Sequence, residues 1–82
     1  MDATSIAIEA AGWIGAVLVL AAYALASTGR LHGRSPTFQW LNLVGAIGFV
    51  INTAWHGAIP SMALNIIWCG IAGYTLLRKP PA

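Results

Sequence analysis

An 82-residue chain in which 59% of residues are hydrophobic and only 7% are charged does not have the make-up of a soluble domain. Soluble domains carry about a quarter charged residues, and a chain this short has too little interior to hide so much apolar surface. With a mean hydropathy of +0.76, the composition calls for a bilayer as solvent. A net charge of +2 is too small for a nucleic-acid footprint, and the single cysteine, Cys69, excludes an internal disulfide framework.

The first apolar run, at about 6–27, reads IAIEAAGWIGAVLVLAAYALAS. Its length matches the ~20 residues a helix needs to cross about 30 Å of hydrocarbon. Ala24-x-Ala26 resembles a signal-peptidase site, but MDATS carries no basic residue and Glu9 interrupts the early run. The segment is therefore expected to stay as a span. Glu9, Trp13, Ala16, Leu20, Tyr23 and Ser27 follow helical spacing and share one face. Gly12 with Ala16, and Ala11 with Gly15, form small-xxx-small pairs that admit a close helix neighbour.

The polar loop TGRLHGRS places His32 between Arg30 and Arg34, in a solvated basic segment. The second run, about 36–55, carries Asn42, Gly45, Phe49, Asn52 and then His56 on one stripe, with Gly45 and Gly48 as notches. His56 itself reads as an interfacial loop residue. HGAIP then makes a tight connection, in which Pro60 suits a helix start. The third run, about 61–77, aligns Ser61, Asn65, Trp68, Ala72 and Thr75, has Gly70 and Gly73 as notches, and carries Cys69, which reads as a small packing residue. The tail RKPPA ends it, because two prolines cannot continue a helix.

These runs predict an all-α integral membrane protein: one domain over residues 1–82 and a three-transmembrane-helix bundle, which is expected to be dimeric if it transports, because three helices alone enclose no lumen for a solute. All four basic residues, Arg30, Arg34, Arg78 and Lys79, fall in the first loop or the tail. Three spans put both segments on one side, so the positive-inside bias sets the N-terminus outside and the C-terminus inside. Trp and Tyr rings at the ends suit headgroup depth.

Polar side chains within spans are expected to face protein or water. Glu9, Asn52 and Asn65 fall at similar depth in the outer half, with His56, Trp13, Trp55 and Trp68 near them. Asn42 belongs to a second level near the other surface and reads as glue between helices, setting their register. Two readings stand for Asn65: glue, or a small-ligand site in which the amide works beside the Trp68 indole. Glu9 also has two, a carboxylate favoured by the helix N-terminus or a proton- or cation-coupling group. No catalytic arrangement and no metal-ligand spacing is present, so neither an enzyme nor a cofactor is expected.

Three spans, a short basic first loop and a third helix carrying Asn65 with an aromatic nearby resemble the SemiSWEET/PQ-loop (MtN3-like) half-transporters. That resemblance implies a homodimer in a bacterial inner membrane, carrying a small polar solute past Asn65, with Phe49 or Trp55 of the second helix opposite. The group's Pro-Gln pair is absent, since the first span has no proline. EAAGWIGAVLVLAAYAL, NLVGAIGFVIN and PSMALNIIW also look similar to small bacterial three-helix proteins and to the three-helix membrane units of lipid-A-disaccharide synthases. Two functions follow: a SemiSWEET-like dimeric carrier, or a non-catalytic accessory or scaffold subunit of a larger membrane complex.

Overall fold

A computed structural model describes residues 2–78 and contains three helices: α1 (Ala3–Ser27), α2 (Pro36–Trp55) and α3 (Ile59–Leu77). Lys79, the fourth of the basic residues expected to set topology, lies outside the described residues.

Local chemistry explains the boundaries. α1 starts ahead of the apolar run because the Asp2 carboxylate caps it, accepting the Ser5 N–H at 2.8 Å. That bond holds the Asp2 carboxyl below its ordinary range. α1 ends in a Schellman turn, in which Gly29 adopts φ 77° and the Gly29 and Arg30 N–H groups reach the Ala26 and Leu25 carbonyls. Ser35 caps α2 by accepting the Phe38 N–H at 3.1 Å, and Pro36 opens its first turn without losing a needed donor. A second Schellman turn closes α2 at Gly57, φ 68°. α3 begins at Ile59, two residues ahead of the expected start, with Pro60 in its first turn.

α2 packs against both other helices, whereas α1 and α3 do not touch. The short turns make successive helices antiparallel, so the bundle is a layer with α2 in the middle. This order brings Arg30, Arg34 and Arg78 to one end and Asp2, Glu9 and His56 to the other.

The interior is made of small groups. Among the described residues, the buried ones are Gly15, Ala22, Asn42, Gly45, Ala46 and Ala72. The large apolar side chains face outward instead, including Trp13, Val17, Leu20, Ile47, Ile67 and Ile71. A soluble domain buries such residues; this one covers its surface with them. α1 and α3 are long and apolar enough to cross a membrane. α2, enclosed on two sides, carries more amides than either, and at 20 residues is about 30 Å long.

The backbones of α1 and α2 approach closely at glycines. A Cβ placed on Gly15 would lie 2.5 Å from the Gly45 carbonyl oxygen, and one on Gly48 would lie 2.5 Å from the Ala11 oxygen. Glycine is required there because the obstacle is backbone. Gly70 and Gly73 differ from these. Neither recesses α3 for a neighbour within the chain, since a Cβ on either would meet nothing within 4 Å. Their side of α3 is turned away from α2. Asn42 also departs from its expected role. It is buried, 5% exposed, but its Nδ2 donates to the Phe38 oxygen of its own helix at 3.1 Å, so it does not tie two helices together.

Candidate groove at the Glu9 end

The amide that does join helices is Asn52. Its Nδ2 donates to the Ile8 carbonyl oxygen of α1 at 3.0 Å. Gly12 makes this geometry available: a Cβ there would lie 2.6 Å from the same Nδ2. The bond uses the second lone pair of a helical carbonyl, so α1 loses no backbone hydrogen bond.

One turn further along α2, His56 meets Glu9. His56 Nε2 lies 3.4 Å from Glu9 Oε2, and both side chains are about half exposed, at 52% and 43%. The pair is ionic only when the imidazole is protonated. Beside it, Glu9, Gly12, Trp13, Ala16, Phe49 and Asn52 line an open groove of about 220 Å³ between α1 and α2. Trp13, 70% exposed, forms its outer lip.

The chemistry of this groove is one-sided. Nδ2 of Asn52 is engaged by Ile8, whereas its Oδ1 accepts no hydrogen bond among the described residues. Glu9 offers carboxylate oxygens. Trp13 and Phe49 add ring faces, which favour cations and apolar edges. The groove therefore suits a small molecule that donates hydrogen bonds, with an amine or hydroxyl group against Glu9 and Asn52.

The polar level expected from depth is only partly assembled. Glu9, Phe49 and Asn52 meet. Asn65 and Trp68 stand on α3, which has no contact with α1, and neither they nor Trp55 lines this groove. Asn65 donates its Nδ2 to the Ser61 oxygen of its own helix at 2.9 Å, and Trp68 is 48% exposed. The same backward bond recurs at Thr53 to Phe49 (2.6 Å) and Thr75 to Ile71 (2.9 Å). Such bonds let a polar side chain satisfy itself within one helix, with no partner on a neighbouring helix. The Glu9–His56 pair had a signal in the sequence: His56 is one helical turn beyond Asn52 on the same stripe.

The groove residues from Glu9 onward all fall within residues 8–80, the stretch matched by a family model. The chain belongs to that family. The match spans nearly all of α1 and the whole of α2 and α3, and the family's function is uncharacterised. No curated protein and no solved structure matches the chain.

Proposed function

We propose that the protein is a multi-pass protein of a bacterial inner membrane that works as a homodimer, two copies closing over the Glu9–Asn52 groove to carry a small polar solute. The observation that supports this reading is the groove itself: polar acceptors and aromatic faces around a space of about 220 Å³ that a single copy leaves open. Three helices in a layer enclose no lumen, so a second copy supplies the missing wall. The solute is one that donates hydrogen bonds, an amine or a polyol, because the groove offers mainly acceptors. In this reading the groove residues Glu9, Phe49 and Asn52 contact solute, and Asn65 and Trp68 serve the dimer contact.

Reconstitution into proteoliposomes tests it, with radiolabelled sugars and amines as probes. Uptake by wild type that drops in Glu9→Gln and in Asn52→Leu supports the proposal. Wild-type uptake in both variants would sink it.

A second reading rests on Gly70 and Gly73. They leave a recess on α3 with nothing within 4 Å of it, on a helix end that a foreign helix could approach closely. This favours an accessory or scaffold subunit of a larger complex. Purification from native membranes separates the two: a stable hetero-complex supports the scaffold, and a lone dimer supports the carrier.

A further inference from the structure

The opposite end of the molecule holds a second polar pocket that the solute groove does not use. Arg34, Gln39, Tyr74, Thr75 and Arg78 line a cavity of about 230 Å³ between the start of α2 and the end of α3. Two arginines therefore border one small space. The sequence contains only two acidic side chains, Asp2 and Glu9, and both belong to the far end. No carboxylate side chain of this chain can neutralise the pair.

Local structure fixes the backbone at Arg34 and the side chain of Arg78. Arg34 precedes the Ser35 cap of α2, and its backbone N–H donates to Nδ1 of His32 at 3.1 Å. Gln39 braces the loop by donating to the Gly33 oxygen at 2.7 Å. Arg78 lies over the Tyr74 ring, its Cζ 5.7 Å from the ring centre, and the last carbonyls of α3 favour a cation beside them. Two arginines bordering one pocket, with no acidic side chain near them among the described residues, form a site for an external anion. Arginine forks match phosphate oxygens in pairs, and the Thr75 hydroxyl and the Tyr74 phenol add neutral polar groups to the lining.

We propose that this pocket binds the phosphate of an anionic phospholipid headgroup. The argument for a lipid over free phosphate is position. Tyr74 lines the pocket and also belongs to the exposed apolar flank of α3, where Ile71, Tyr74 and Leu77 are 58%, 61% and 87% exposed, so acyl chains would run along that flank. Basic pockets between helix ends at a membrane surface take anionic headgroups for this reason. The inference rests on the membrane reading, though not on solute transport.

The test uses the full chain purified in mild detergent, with bound lipid counted by native mass spectrometry during titration with phosphatidylglycerol. Phosphatidylcholine serves as the neutral reference. Wild type should prefer phosphatidylglycerol, and Arg34→Gln or Arg78→Gln should weaken that binding about tenfold, the loss of one charge-assisted contact. Arg30→Gln, outside the pocket, should change it by no more than about threefold, the scale of diffuse surface charge. Circular dichroism of each variant checks that helices persist. Equal loss in all three variants means general charge attraction and overturns the site. Displacement of the lipid by millimolar inorganic phosphate would make free phosphate the ligand and overturn the lipid assignment. Carbonate extraction of cell membranes separately tests the membrane reading, so the two failures are distinguishable.

Discussion

Adding one methyl group at Gly15 should separate the two helices that carry the groove. A Cβ at this position would lie 2.5 Å from the Gly45 oxygen, against the 3.4 Å at which such contacts become ordinary, so α1 and α2 must part by about 0.9 Å locally. The obstacle is backbone on a second helix and cannot rotate away. Overpacking of this kind costs about 1–3 kcal/mol. Alanine returns up to about 1 kcal/mol of helix propensity, leaving a net loss of about 0–2 kcal/mol. The parting also strains the Asn52–Ile8 bond, whose loss in a membrane is worth about 0.6 kcal/mol. Unfolding of the detergent-solubilised protein by rising sodium dodecyl sulfate, followed by Trp fluorescence, measures the change. Gly70→Ala is the matched control, since the added methyl meets nothing within 4 Å and the substitution should be neutral or stabilising. A Gly15→Ala variant more stable than wild type, or a Gly70→Ala variant that loses as much, would refute the close-packed seam.

Asn52→Ala should destabilise by about 0.6–1.5 kcal/mol in the same assay, whereas Asn65→Ala, whose amide bonds only to its own helix, should stay near wild type. Glu9→Gln and His56→Ala should each shift stability by less than about 1 kcal/mol, because a half-exposed pair contributes little, so a loss of solute uptake in either would report on the groove. The Asp2 cap should titrate. A carboxyl held below its ordinary range stabilises the first turn of α1 above that range, and the contribution fades as pH falls through the lowered value. The Ser5 amide chemical shift would follow this change, and Asp2→Asn, which keeps a capping oxygen without the charge, should abolish its pH dependence.

Much of the helical layout is legible in the residues. Runs of apolar side chains, Ser35–Pro36 and the glycines at 29 and 57 mark where helices start and stop, because caps and turns are local chemistry. The glycine seam is half legible: Gly12, Gly15, Gly45 and Gly48 all face the α1–α2 contact, yet Gly70 and Gly73, identical in local pattern, do not. The spacing of small residues states that a helix can be approached and leaves open which helix approaches it. The candidate groove follows the same division. Depth along a span is readable from residue count, so Glu9 and Asn52 are placed at one level, and both line the groove. Lateral neighbours are not readable, so Asn65 is levelled with them and stands elsewhere.

The sequence alone determined that α1 and α3 are long and apolar enough to cross a membrane, that basic residues collect at one end, and that each helix carries a polar stripe. These depend on composition and on a 3.6-residue period, which every helix obeys. Only the tertiary structure decided that α2 is the middle helix, that Asn52 bonds across helices while Asn42 and Asn65 bond within their own, and that Arg34 and Arg78 share a pocket. An asparagine in lipid has two ways to satisfy its amide, the carbonyl one turn back or a carbonyl on a neighbour. The choice is made by how near that neighbour comes, and at Asn52 it comes near because Gly12 has no side chain.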